Sequence, residues 1–203
     1  MIPDLDIAKK LINNVCKITN ELNEKMGLSR GISRIHYKNV AFCAQKIAKK
    51  CGMDYQKAYI LGLLHDYGEY IEDTVEGTFH GTAGYDEMLK MGYDDVARIC
   101  LTHSFWEDIY DPEYFTYHSS EIIRAKEIIS DLVCDDYDKL IQLSDLMSCG
   151  DKIVNVGYRI DWIAKKYKLD TSKSVLRKEK AIKLKQYFDK KCKQDVYKIV
   201  GIK

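Results

Sequence analysis

Ala58-Tyr-Ile-Leu-Gly-Leu-Leu-His65-Asp66-Tyr67-Gly68 is a nearly unbroken apolar run that ends in a histidine and an aspartate side by side. Asp54 stands where a helix N-cap would, and Ala58 to Leu64 has no polar face, so the segment spells a helix buried on most sides. The run is far shorter than the ~20 residues needed to cross a bilayer, so it belongs to a core. His65-Asp66-Tyr67-Gly68 closes the helix and carries the polar pair to its end.

Helical spacing continues on both sides of this segment. Leu5, Ala8, Leu11 or Ile12, Val15, Ile18 and Leu22 share one face between Asp4 and Met26, with Gly27 as a stop. Ser29 to Ser33 offer caps for a second helix, whose face is Ile35, Val40, Cys43, Ala44, Ile47 and Ala48 and which carries His36 before Cys51-Gly52 ends it. Downstream, the acidic stretch Glu69 to Gly77 reads as a loop. Two short helices follow, from His80 to Gly92 and from Asp94 to about His103, each with a histidine at one end. Phe105 to Ser119 mixes aromatics, acids and Pro112 without a period and reads as an irregular loop. Ile122 to Val133, Tyr137 to Met147 and Ile153 to Tyr167 resume helical spacing, the middle one carrying Asp145. A last helix runs from about Ser174 to Val200, with Ala181, Leu184, Phe188, Cys192, Val196 and Ile199 on one face. With 2 prolines and 12 glycines in 203 residues and no convincing strand alternation, the expected class is all-α, a helical bundle formed by a single domain over 1–203.

Composition narrows the setting. The first residues carry acids where a secretory signal needs cations, so a soluble cytoplasmic protein without a membrane partner is expected. Seven cysteines, odd in number and without a CxxC pair, read as buried free thiols of a reducing compartment. A net charge of +1 conceals an asymmetry: from Thr171 onward there are eleven Lys/Arg against three Asp/Glu, and before it 21 against 28. Clustered lysines can neutralise phosphates, but the apolar stripe of this last helix already explains its docking on an acidic body, so nucleic acid is not the expected partner. A homodimer contact through this helix or the first one stays open.

Chemistry concentrates on few residues. Of five histidines, His36, His65, His80 and His103 fall at helix ends or on a core-facing helix; Asp66 adjoins one of them, and Asp145 follows late in the chain. Neutral imidazole and carboxylate are the usual ligands of divalent Mn, Fe, Co, Ni and Zn, and six such groups suit two ions better than one. An aspartate beside a histidine at a helix end can bridge two metals.

The order His36, His65-Asp66, Asp145 resembles the HD-domain superfamily of metal-dependent phosphohydrolases, a bundle of α-helices, and the run into the His-Asp pair is similar to that family's helix. His80-Gly-Thr-Ala-Gly-Tyr85 and His103 resemble the two added histidines of its dinuclear branch, and Leu143-Ser-Asp145-Leu resembles its last metal-binding aspartate. The resemblance covers about Ile32 to Gly150, leaving the N-terminal helix and the basic last helix as extensions. It implies an enzyme that cleaves a phosphoester or phosphoanhydride bond of a nucleotide or similar small phosphorylated metabolite with a metal-activated hydroxide. Two divalent cations are implied, drawn from Fe, Mn, Ni, Co, Zn or Mg. His36, His65, Asp66 and Asp145 would hold the first and Asp66, His80 and His103 the second, with Asp66 as bridge and as catalytic orienter of the nucleophile. Two alternatives are a mononuclear nucleotide monophosphatase, with His80 and His103 on phosphate, and a regulatory module that binds a nucleotide without turnover. The chain departs from the family at Tyr67-Gly68-Glu69, where many dinuclear members place a lysine: an acid replaces a cation suited to phosphate. Glu69, Glu107 and Asp108 are candidates for supporting the ligands or for proton transfer, His118 matches no motif position, and Arg159 and Tyr167 either contact substrate or cap and pack, with packing the expected role. No substrate-binding residue is assigned.

Overall fold

Helix α3 (Tyr55–Leu64) forms as its sequence requires. The Asp54 carboxylate accepts from the backbone N–H groups of Gln56 and Lys57, satisfying donors that no preceding turn can. Ala58, Leu61 and Leu64 are fully buried, and each leucine contributes roughly 1.5–3 kcal/mol by leaving water. Its long neighbour α2 (Arg34–Cys51) lies against it so closely that a side chain on Gly62 would meet the Ala41 Cα at 2.8 Å. These relations come from a computed structural model that describes residues 1–26, 34–72, 75, 77–105, 119–168 and 172–202.

The core around α3 draws on most of the chain. Ala8, Ile12 and Val15 come from α1 (Leu5–Met26), and Leu140, Ile141 and Leu143 from α8 (Asp136–Leu146). α9 (Val156–Tyr167), α10 (Ser172–Cys192) and α11 (Val196–Val200) add Val156 and Ile160, Ala181 and Phe188, and Val196 and Val200. A smaller cluster of Phe79, Leu101, Ile122 and Ala125 forms where α5 (His80–Lys90), α6 (Asp94–Thr102) and α7 (Ser119–Asp131) meet. Arg98 of α6 bonds Asp138 at 2.6 Å and Asp135 at 2.8 Å, and so ties that side to the capped start of α8. The expected all-α bundle is the fold. No helix among the described residues is long and apolar enough to cross a membrane.

Four expectations need correction. The stretch after the His-Asp pair contains a one-turn helix, α4 (Glu69–Glu72), because the Gly68 carbonyl accepts from the N–H of both Ile71 and Glu72. A two-stranded antiparallel ribbon, β1 (Ser148–Cys149) and β2 (Lys152–Ile153), separates α8 from α9, too short to show alternation. Ile153 therefore lies in β2, and α9 starts at Val156 with Asn155 accepting from the Tyr158 N–H. The last helix breaks at Lys193, which takes a left-handed φ of 52°, and Asp195 caps α11; the apolar face continues across the break, so periodicity alone hides it. Finally, the cysteines are not all buried free thiols: Cys51 and Cys192 form a disulfide with their Cα atoms 4.4 Å apart, and Cys134 is exposed. A pairing across 141 residues of sequence follows from α10 lying on the end of α2, which spacing does not reveal. The expected caps at Ser29 to Ser33, the stop at Gly27, and Glu107, Asp108 and His118 of the long loop lie outside the described residues.

Candidate metal centre

Helix ends deliver the polar residues to one place. His36 comes from the first turn of α2, His65 and Asp66 from the turn that closes α3, His80 from the start of α5, His103 from the C-cap of α6 and Asp145 from the last turn of α8. Asp66 stands at the middle. Its Oδ2 lies 3.5 Å from His36 Nε2 and 3.1 Å from His65 Nε2, while its Oδ1 lies 3.6 Å from His80 Nε2 and 2.9 Å from His103 Nε2. Asp145 Oδ1 closes the first side, 3.1 Å from His36 Nε2 and 3.9 Å from His65 Nε2. Two groups could each hold an ion, His36 with His65 and Asp66, and Asp66 with His80 and His103; in each group the ligand atoms lie within 4.8 Å of one another. All six residues singled out in the sequence meet here.

Each imidazole turns Nε2 inward because Nδ1 is occupied. His65 Nδ1 donates to the Gly62 carbonyl at 2.8 Å and His103 Nδ1 to the Ile99 carbonyl at 3.1 Å; a carbonyl only accepts, so both Nδ1 atoms carry the hydrogen. His36 Nδ1 lies 2.9 Å from the Ser148 hydroxyl. On His80, Glu72 Oε2 accepts from both Nδ1 at 2.5 Å and the backbone N–H at 2.9 Å. Ser104 Oγ sits between the inward atoms of His103 and His80, at 2.9 and 3.3 Å. The Nε2 of fully buried His65 has no hydrogen-bond partner. A buried ring nitrogen left with a lone pair and no donor, facing the Nε2 atoms of three further histidines and two carboxylates, fits a divalent transition metal.

Electrostatics run the same way. Burial opposes ionisation of Asp66, yet the imidazoles of His65 and His103 hold its carboxyl well below the usual range. Asp145 behaves likewise: burial works against its charge, while His36, Arg159 and His65 hold it low. Burial should depress His36, but Asp145 and Asp66 raise it to about 10; His80 is raised to about 9 by Glu72 and Asp66 against the same burial. Buried carboxylates thus draw positive charge into the cluster, the condition a cation would satisfy. Glu69 is pushed up to about 7, first by burial and then by Asp66, and accepts a hydrogen bond of 2.9 Å from the buried Tyr37 hydroxyl.

Close backbone contact makes the geometry attainable. A Cβ on Gly68 would stand 2.1 Å from the His80 carbonyl oxygen and 2.4 Å from the Gly84 nitrogen. Only glycine lets the turn after Asp66 press against the first turn of α5. Ser148, Glu72 and Ser104, which orient the rings, were not singled out in the sequence. Ser104 adjoins His103 and Ser148 follows Asp145 by three residues, a weak signal; Glu72 lies in an acidic run that no spacing rule distinguishes.

The family model of the HD domain matches residues 34–145, and the chain belongs to the HD-domain family, whose members are typically metal-dependent phosphohydrolases. Among curated proteins, Ribonuclease Y of Thermotoga petrophila is 30% identical over 91 residues, covering 44% of this chain and 18% of that protein. Ribonuclease Y 2 of Bdellovibrio bacteriovorus is 32% identical over 94 residues, 46% of this chain and 17% of that protein. The chain thus spans under a fifth of the length of the curated relatives it matches. No solved structure matches.

Proposed function

We propose that this chain is a phosphohydrolase that uses two divalent cations to cleave a phosphoester or phosphoanhydride bond of a nucleotide or similar small phosphorylated molecule in the cytoplasm. The observation that carries this reading is the shared carboxylate: one oxygen of Asp66 faces His36 and His65 and the other faces His80 and His103. His36, His65, Asp66 and Asp145 would hold one ion and Asp66, His80 and His103 the other. Cations bound there supply Lewis acidity and a water of lowered pKa, the equipment of in-line phosphoryl displacement.

The protein's own part is to prepare the ligands. The Gly62 and Ile99 carbonyls fix two imidazole tautomers, and Ser148 and Glu72 aim the other two rings. Asp66 would orient a nucleophile between the two sides. Tyr37 holds Glu69 in the wall beside them. RNA enters the range of substrates through the relatives, whose name denotes RNA cleavage, but a small phosphorylated molecule remains our assignment.

Elemental analysis of tag-free protein, with release of phosphate or ester product measured across nucleotides, dinucleotides, simple diesters and a short RNA, tests the proposal. Close to two transition-metal ions per chain, metal-dependent turnover, and loss of one ion in His80→Ala are expected. One ion, unchanged in His80→Ala, would favour a mononuclear monophosphatase. Nucleotide binding without turnover under any of Mn, Fe, Co, Ni or Mg would favour a regulatory module.

A further inference from the structure

Glu69 and Glu72 follow the His-Asp pair, and no Lys or Arg stands close behind it in the sequence. The chain returns to the centre once more, after Asp145. The Val154 N–H donates to the Met147 carbonyl at 2.8 Å, folding the ribbon back so that α9 starts beside the end of α8 that carries Asp145. Arg159 lies one turn into α9.

Its surroundings are unusual for a packing residue. The guanidinium carbon sits 4.9 Å over the Trp162 ring, and the Nε atom is buried without a hydrogen-bond partner. Stacking on an indole satisfies the flat face of a guanidinium but none of the N–H groups at its edge. Leaving a buried charged donor unpaired costs more than a good hydrogen bond returns, so such a group is retained where something else supplies the acceptor. Asp145 faces His36 and His65, so the helix that starts beside it, with Arg159 in its first turns, borders the first side of the cluster.

Resting on the phosphohydrolase reading, we infer that Arg159, backed by Trp162, is the substrate-binding residue that takes a phosphoryl oxygen of the substrate. The planar fork of a guanidinium suits two phosphoryl oxygens, and the indole behind it restricts it to few orientations. The cation missing behind the His-Asp pair is thereby supplied from a helix more than 90 residues further on. Trp162 acts through Arg159 and is a positioning residue.

The test titrates inorganic phosphate and dimethyl phosphate into full-length protein, metal-free and manganese-loaded, for wild type, Arg159→Gln and Arg159→Lys, with metal content and thermal melting measured on each. Charge-assisted hydrogen bonds of this kind carry enough free energy that Arg159→Gln should weaken phosphate binding by about tenfold or more. Metal content should not change, and Arg159→Lys, which keeps the charge, should recover part of the loss. Weakening for phosphate alone would assign Arg159 to a terminal phosphate; weakening for both probes would assign it to any phosphoryl group, a diester included. Unchanged affinity in Arg159→Gln, no phosphate binding by the wild type, or phosphate binding lost in step with metal would each overturn the inference. A wild-type chain that takes up no metal sinks the phosphohydrolase reading separately. Phosphate binding by that metal-free chain would still uphold the subsite if it depends on Arg159 and overturn it if it does not.

Discussion

The two sides of the Asp66 carboxylate are built differently. His36, His65 and Asp145 project from α2, α3 and α8, the helices whose buried residues make the main core, and their rings are aimed by a backbone carbonyl and a serine. His80 and His103 project from α5 and α6, which give Met88 and Val96, Ala97, Ile99 and Cys100 to the same core and also border the smaller cluster of Phe79, Leu101, Ile122 and Ala125. There a full carboxylate, Glu72, fixes His80, and the approach depends on two glycine backbones touching. Both sides rest on the core, but the second also depends on the Glu72 carboxylate and the glycine contact, so it should be the side that single changes at those points can remove.

Asp66→Ala should have the largest effect, because it removes the carboxylate that both sides share. Metal content per chain should fall by both ions and turnover by more than ~100-fold, beyond the 10–100-fold typical for an outer partner of a ligand. Retention of one ion would show that one side stands without the bridge.

Gly68→Ala comes next. The added methyl would overlap the His80 carbonyl and the Gly84 nitrogen, backbone atoms that cannot step aside alone. A loss of about 3 kcal/mol in chemical unfolding is expected, the upper end of ordinary overpacking costs. The second ion should be lost before the first. A neutral result would mean that α5 is free to shift.

Glu72→Gln against Ser148→Ala sets the two orienting devices side by side. Replacing the carboxylate that accepts twice from His80 should weaken the second metal by about 10–100-fold, whereas losing the serine hydroxyl behind His36 should cost less than about tenfold. Competition with a metallochromic chelator reads both. Equal losses would contradict the asymmetry.

Asp95→Asn is the smallest. Asp95 on α6, the helix that carries His103, pairs with the Met1 amino group and Lys57, each at 3.1 Å. Although burial works against its charge, these cations keep its pKa below the ordinary value. The folded state therefore binds the proton less readily than the unfolded one. The stability it contributes is present at neutral pH and drains away as pH falls from about 4. Being partly solvated, the pair is worth at most about 1 kcal/mol, so the variant should melt slightly lower at pH 7 and match the wild type near pH 2.

The helical bundle was legible because burial imposes a pattern: α1, α2 and α8 must place apolar residues every three or four positions to share one core, α3 at its centre is apolar almost throughout, and the chain shows both directly. The six candidate ligands were legible for a related reason, since histidine and aspartate are rare at the ends of apolar helices and stood out there. Partnerships across space were not. Ser148 behind His36, Glu72 behind His80 and the Cys51–Cys192 bond join residues whose separation in the chain follows no rule. The break at Lys193 escaped because the apolar face runs on past it. Periodicity records what each residue does to its own helix. Which oxygen faces which ring, and which buried donor lacks an acceptor, is decided only when helices distant in sequence pack together.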